Sequence, residues 1–169
     1  MIAIAAASLA DASELKALLE AAYRGDSARQ GWNHEADILD DERITRQELD
    51  RLLGDPAVTI LKGRDADGGL VACVAVTVKS PALAYLGMLC VSPALQSGGL
   101  GRKLLDAAED HARGLGIAAM EMTVIAGRDS LIAWYERRGY AFTGERRPFP
   151  VLRDPPVTFV VLEKRLGPA

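Results

Sequence analysis

A glycine-dense turn stands at residues 98–101, between an apolar run and a helical pattern. In "VSPALQSGGLGRKLL" three glycines, Gly98, Gly99 and Gly101, come directly before Arg102 and Lys103. A strand that enters a helix through glycines presents backbone N–H groups at the positive end of the helix dipole. Glycines also let a ligand approach the backbone closely. The turn therefore predicts a site for a phosphate or pyrophosphate group.

Two common phosphate loops do not fit this turn. A P-loop needs serine or threonine after its lysine, but Leu104 follows Lys103. A dinucleotide fingerprint needs a third glycine, which is absent because Leu104 stands there as well. The spacing that the sequence does meet is Q-x-x-G-x-G, through Gln96, Gly99 and Gly101.

This spacing and the sequence on either side of it resemble a known superfamily. "LGMLCVSPALQSGGLGRKLLDAAEDHA" resembles the central motif of the GNAT superfamily of N-acetyltransferases, and "LIAWYERRGYAFTGE" resembles its final helix and strand. The order of elements matches over nearly the whole chain. The resemblance implies a single α/β domain over residues 1–169, with a mixed, mostly antiparallel twisted sheet of about seven strands and about four helices. It further implies that two central strands splay apart to admit acetyl-CoA.

The resemblance also implies where the co-substrate binds. Pantetheine would lie as a pseudo-strand between residues 84–91 and 118–125, with the pyrophosphate on the glycine turn. An amide-rich arm suits a strand edge, and a dianion suits a helix N-terminus. The residues assigned to acetyl-CoA are Leu89, Cys90, Val91, Gln96, Ser97, Gly98, Gly99, Leu100, Gly101, Arg102, Lys103, Arg128 and Tyr135.

By the same resemblance, Tyr135 is the general acid that protonates the leaving thiolate, and the backbone N–H of Leu89 donates to the oxyanion. The alternative for Tyr135 is a core aromatic beside Trp134. The chain departs from the superfamily at two positions. Arg128 stands where many members carry an asparagine, and Tyr85 stands near the start of the central strand, where many carry a glutamate.

The general base must therefore come from elsewhere. Glu121, in an otherwise apolar strand beside Thr123, either lines the acceptor cleft as a base or lies in a solvated patch. Glu35, near Trp32 and His34, either acts as a base or orients the acceptor. Residues 23–43 hold six acidic residues against three arginines, which would favour a cationic acceptor. An ordinary solvated loop explains the same composition.

The elements that position these residues follow from periodicity. A strand at residues 2–7 precedes a helix with Asp11 as N-cap, and "TRQELDRLLGDP" predicts a second helix. "RDADGG" predicts a hairpin turn between two further strands. In the central strand, Tyr85, Leu89 and Val91 alternate with Leu86, Met88 and Cys90. The helix after Gly99 has an apolar stripe, and its charged positions, among them Glu109, are predicted to face water.

Composition limits the function classes. Apolar residues make up 49% of the chain and charged residues 25%, which indicates a globular protein. The net charge of −3 argues against nucleic-acid binding. Cys73 and Cys90 are predicted to be buried thiols, with no metal site. We expect a cytoplasmic enzyme without a membrane segment, acting on a small-molecule or peptide amine.

Two rival interpretations remain open at this point. One is a non-catalytic acyl-CoA-binding or regulatory module, which would keep the turn from Gln96 to Arg102 but have no use for Tyr135. The other is an unrelated nucleotide-binding domain. Homodimers are common in the superfamily, and the resemblance allows one here.

Overall fold

The computed structural model describes residues 2–23, 44–95, 98–148 and 156–167. The described residues form one seven-stranded sheet and four α-helices, which confirms the predicted fold class. The strands are β1 (Ala3–Ala6), β2 (Val58–Arg64), β3 (Leu70–Ser80), β4 (Leu83–Val91), β5 (Ala119–Ile125), β6 (Ala141–Pro148) and β7 (Thr158–Arg165). The helices are α1 (Ala12–Tyr23), α2 (Arg46–Gly54), α3 (Leu100–Gly114) and α4 (Asp129–Glu136).

The sheet has the strand order β1-β2-β3-β4-β5-β7-β6. Every neighbouring pair is antiparallel except β4 and β5, which run parallel and are joined through α3. A parallel connection needs a crossover, and the apolar stripe of α3 covers the sheet as it crosses. The N-terminus of α3 therefore lies just beyond the C-terminal end of β4.

Two hydrophobic cores cover opposite faces of the sheet. On one face, Leu104, Leu105 and Ala108 of α3 pack on β3 and β4, together with Tyr135 of α4. On the other face, Leu15 and other apolar residues of α1 pack on the same two strands, and α2 lies against β2. The alternation of side chains along each strand decides which residue enters which core.

That alternation fails at one point in β4. Cys73 pairs with Cys90 and Ala75 with Gly87, so β4 has one more residue than β3 in this interval. Met88 takes a φ of 56°, which is rare for a residue other than glycine. The extra residue is a β-bulge, and it reverses the facing of everything after it.

The predicted facing of β4 is therefore wrong. Leu89 and Val91 lie in the core under α3 together with Leu86, whereas Met88 and Cys90 lie against the core under α1. The sequence shows no sign of the bulge, because each residue from 86 to 91 except Gly87 is apolar and fits either face.

Two further predictions about local structure need correction. Asp11 is not the N-cap of α1. It closes a 3-10 turn whose N-cap is Ser8, and its buried carboxylate pairs with Lys62 and Arg64 of β2. Glu109 does not face water, since only 2% of it is exposed. Helical periodicity alone predicts an exposed position for a charged residue. Here, however, Lys164 of β7 and Tyr140, which precedes β6, hydrogen-bond to the carboxylate inside the protein.

Candidate active site

The glycine turn opens α3 as predicted. Gly99 is the N-cap of the helix with a φ of 82°, a left-handed conformation that glycine adopts at little cost. Gly98 and Gly99 are exposed, as are Arg102 and Lys103 in the first helical turn. The turn therefore offers backbone N–H groups and two cations to solvent at the positive end of the dipole. Gln96 and Ser97 lie outside the described residues.

Side chains from α4 support this turn. A Cβ built on Gly101 would lie 3.7 Å from Trp134 Cζ2 and 3.8 Å from Val91 Cγ2, so α3 begins in contact with α4 and the end of β4. Arg138 stacks on the indole of Trp134, with its Cζ 3.8 Å from the ring centroid. Burial, followed by the nearby charges of Arg102 and Arg137, lowers the pKa of Arg138. Positive potential thus accumulates around the turn, and an anion would relieve it.

Strands β4 and β5 separate over the part of β4 that leads toward the turn. Their parallel ladder pairs Leu83 with Ala119, Ala84 with Met120 and Tyr85 with Glu121, and no later pair is formed within the described residues. Both strands continue, however, to Val91 and Ile125. A gap between two extended segments therefore leads from Tyr85 to the N-terminus of α3. Leu89, Cys90 and Val91, the predicted pantetheine contacts, lie along β4 at this gap.

Tyr135 lies in the core under α3, with 6% of its surface exposed. Its ring meets Trp134 edge-on at a centroid distance of 5.0 Å and Tyr140 at 5.9 Å. Burial raises the pKa of Tyr135 well above its usual value, whereas the charge of Arg128 lowers it and Tyr85 raises it further. The phenol is therefore protonated at neutral pH, as a proton donor must be. Both predicted roles, acid and core aromatic, are compatible with this position.

Arg128 precedes α4 as its N-cap residue, and its backbone N–H donates to Ile125 O at 3.2 Å. The position where many superfamily members carry an asparagine thus brings a positive charge close to Tyr135. Contact between Arg128 and the co-substrate stays a prediction.

Glu121 is buried, with 5% of its surface exposed, so it does not belong to a solvated patch. Its two carboxylate oxygens accept from Arg147 Nη1 at 3.1 Å and Nη2 at 3.2 Å. Arg147 in turn donates through Nε to Glu145 at 2.7 Å. The guanidinium of Arg147 thus engages both carboxylate oxygens of Glu121. Its role as a base stays a prediction, and Glu35, with Trp32 and His34, lies outside the described residues.

The sheet carries residues of interest that sequence reasoning missed. Arg147 is separated from Glu121 by 26 positions, and nothing local indicates that they pair. Thr123 forms a hydrogen bond with Tyr85, with 2.6 Å between the two hydroxyl oxygens. Arg138 was hidden among the arginines of "YERRGY". Strand register brings the first two pairs together, whereas Arg138 contacts Trp134, four residues earlier in the chain.

Two sequence expectations concern cysteines and metals. Cys73 and Cys90 are buried free thiols, as predicted, with their sulfurs 3.5 Å apart across β3 and β4. Among the residues that the structure describes, no group of three or more histidine, cysteine or acidic side chains is placed to hold a metal ion. Within the same residues, no helix is both long enough and apolar enough to span a bilayer.

Comparison with known proteins agrees with the fold. The chain matches the model of the acetyltransferase (GNAT) family over residues 14–140. It is 28% identical over 121 residues to an IAA acetyltransferase of Azospirillum brasilense, and the matched region covers 61% of this chain and 78% of that protein. It is 35% identical over 86 residues to mycothiol acetyltransferase of Beutenbergia cavernae, covering 51% of this chain but only 29% of that protein.

Solved structures show the same architecture. The ribosomal-protein-S18-alanine N-acetyltransferase of Escherichia coli superposes with a TM-score of 0.78 at 18% identity, covering 100% of this chain and 96% of that one. A putative acyl-CoA N-acyltransferase of Klebsiella pneumoniae superposes with a TM-score of 0.66 at 26% identity, covering 99% of both chains. At 18% identity, the Escherichia coli likeness concerns the fold alone.

Proposed function

Since the chain belongs to the GNAT family of acetyltransferases, we propose that it transfers the acetyl group of acetyl-CoA to a primary amine. The acceptor is a small molecule or a peptide, and its amine attacks the thioester directly. One observation carries this proposal: the gap between β4 and β5 ends at a glycine turn on the N-terminus of α3. The shape of that path suits an extended arm followed by an anion.

The residues along the path suit the chemical parts of acetyl-CoA, the co-substrate of this family. The exposed first turn of α3, with Arg102 and Lys103, suits the pyrophosphate because it combines N–H donors, a helix dipole and two cations. Residues 89–91 lie along the gap, where an amide-containing arm can bond to a strand as another strand would. The positive charges of Arg102, Arg137 and Arg138 attract the phosphates over a longer range.

Acyl transfer needs a neutral amine, a stabilised oxyanion and a protonated leaving thiolate. We assign the donation of a proton to the thiolate to Tyr135, whose phenol is protonated at neutral pH. The backbone N–H of Leu89, next to the bulge at Met88, is the proposed oxyanion donor. A bulge redirects backbone groups away from the ladder, which is why such irregularities occur at active sites.

An alkyl amine with a pKa near 10 is about 0.1% neutral at pH 7, so a proton acceptor or water chain has to assist. Glu121 and Glu35 are the carboxylates proposed for this step. The names of the relatives refer to different acceptors and do not single out one amine for this chain. The chemistry of the site supports only the class, a primary amine.

The experiment has two stages. Isothermal titration with acetyl-CoA, and with ATP and NAD as controls, tests the path from β4 to α3. A panel of methylamine, spermidine, N-α-acetyl-lysine and the peptide Ala-Gly-Gly is then assayed by release of free thiol. Micromolar binding of acetyl-CoA together with turnover of a panel amine supports the proposal. Binding without turnover of any panel amine favours the non-catalytic acyl-CoA module, and preference for ATP or NAD overturns both.

A further inference from the structure

Tyr85 stands where β4 and β5 begin to separate. It is the last β4 residue paired in register with β5, opposite Glu121. Its hydroxyl oxygen lies 2.6 Å from Oγ1 of Thr123, which is two residues further along β5. Two side chains thus join the strands just past the last pair of their backbone ladder. A hydroxyl pair at this point lies at the entrance to the gap.

The ring of Tyr85 leans along β4 toward that gap. Gly87 is the next residue on the same face of the strand, and a Cβ built there would lie 3.3 Å from Tyr85 Cε1. The lack of a side chain at position 87 leaves room for the ring. Together with the contact to Thr123, this places the phenol on the side of the bulge at Met88 and Leu89.

Tyr85 and Tyr135 approach the gap from opposite faces of the sheet. Ala84 and Leu86 point into the core that contains Tyr135, so Tyr85, between them, points to the other face. Besides burial and the opposing charge of Arg128, Tyr85 contributes to the raised pKa of Tyr135. The two phenols are therefore within electrostatic reach of each other.

We propose that the Tyr85 hydroxyl, held by Thr123, accepts a hydrogen bond from the attacking amine on the face opposite Tyr135. The inference rests on the proposed function, and it assigns the direction of attack. A phenol that donates its proton to a neighbouring hydroxyl keeps an oxygen lone pair for an N–H donor. The amine enters from the face of Tyr85, and the thiolate leaves toward Tyr135. Glu121, on the same face, has both oxygens engaged by Arg147.

Two conjugates of CoA test this contact without knowledge of the acceptor. One carries a 3-aminopropyl group on the sulfur, and the other carries an n-butyl group of the same length. The ratio of their dissociation constants, butyl over aminopropyl, reports what the protein contributes to binding the amine. A hydrogen bond to a charged group changes affinity about ten-fold or more. Tyr85→Phe should therefore lower this ratio about ten-fold relative to wild type.

Matched variants isolate the contact. Thr123→Val should lower the ratio in the same direction, since it removes the group that orients the phenol. Thr59→Val, on β2, should leave the ratio unchanged. The affinity for the n-butyl conjugate should stay within about two-fold in Tyr85→Phe and Thr123→Val, which shows that the acyl-CoA site and the fold are intact.

The outcomes separate the two proposals. If wild type binds both conjugates but Tyr85→Phe leaves the ratio unchanged, the contact is wrong while the acyl-CoA function stands. A ratio that falls in Glu121→Gln but not in Tyr85→Phe assigns the amine to the carboxylate and also overturns the inference. If wild type binds neither conjugate, the proposed function itself fails and the inference fails with it.

Discussion

Removing the buried carboxylate of Glu109 should strongly destabilise the protein, because it is 2% exposed and hydrogen-bonded to two other elements. Glu109 accepts from the Tyr140 hydroxyl at 2.9 Å and from Lys164 Nζ at 2.8 Å, and Arg113 lies 3.6 Å away. These contacts tie α3 to β7 and to the segment after α4. The carboxylate thus connects the helix of the glycine turn with the helix of Tyr135.

The size of the effect follows from the burial of each partner. Tyr140 is 2% exposed, so Glu109→Ala leaves its hydroxyl without an acceptor at a cost of about 1–3 kcal/mol. The Lys164 side chain is 24% exposed and can turn toward water, which limits its share to roughly 1 kcal/mol. We therefore expect a loss of about 3 kcal/mol, equivalent to a fall in Tm of roughly 10 °C.

Urea unfolding at 25 °C measures this loss, with a double-mutant cycle as its internal check. Tyr140→Phe alone should cost about 1 kcal/mol, and Glu109→Ala with Tyr140→Phe about 1–2 kcal/mol less than the sum of the single changes. Asp110→Ala is the matched control on the same helix, because the Asp110 side chain is 77% exposed, and should stay within about 0.5 kcal/mol. Additive losses, or a loss below about 1 kcal/mol in Glu109→Ala, would refute the reasoning.

Three other changes have defined outcomes. Lys62 and the Ser8 N–H lower the pKa of Asp11 to about 2. The stability that Asp11 contributes is therefore present above about pH 4 and is lost as the pH falls toward 2. The free energies of unfolding of Asp11→Asn and wild type, measured in urea, should differ by about 1 kcal/mol at pH 6, after solvent screening, and converge near pH 2. Gly99→Val forces a side chain onto a residue with a φ of 82° and should weaken acetyl-CoA binding, measured by calorimetry, at least about ten-fold. As a control, Gly114→Ala should leave the affinity unchanged, because a Cβ at position 114 has no atom within 4 Å. Tyr135→Phe should lower kcat about 100-fold without changing the affinity for acetyl-CoA, and an unchanged kcat rules out the acid role. Because the pKa of Tyr135 is raised, its ionisation should add no basic limb to the wild-type pH–kcat profile below about pH 10.

Much of the fold could be predicted from the sequence, because its signals are local. The hairpin turn places Gly68 at a φ of 85°, as the Asp-Gly pair indicates. The stripe of α3 is buried from Leu100 to Ala112 as helical periodicity predicts, but Leu115, which continues the same spacing, lies beyond the helix and is 54% exposed. Thr45 caps α2 through its side chain, which accepts from the Glu48 N–H. Each of these depends on residues within one or two turns of the chain.

The errors arose where a distant element decides the outcome. The bulge at Met88 cannot be seen in an apolar run, because it appears only when β4 is set against β3. Glu109 was predicted to face water, but Tyr140 and Lys164, which are distant in sequence, donate hydrogen bonds to its carboxylate in the interior. Asp11 has the residue type of an N-cap, but two cations of β2 engage it instead.

The sequence alone determined the glycine turn, the helix that follows it and the family resemblance, since backbone N–H geometry and a helix dipole need only neighbouring residues. The tertiary structure decided which side chains share the site. It separated β4 from β5 beyond Tyr85, placed Tyr85 and Tyr135 on opposite faces and paired Glu121 with Arg147. Strand register controls the facing of Tyr85 and the pairing of Glu121 with Arg147, because a shift of one residue turns every side chain to the other face. Register is set by contacts across the whole sheet, which no local stretch of sequence contains.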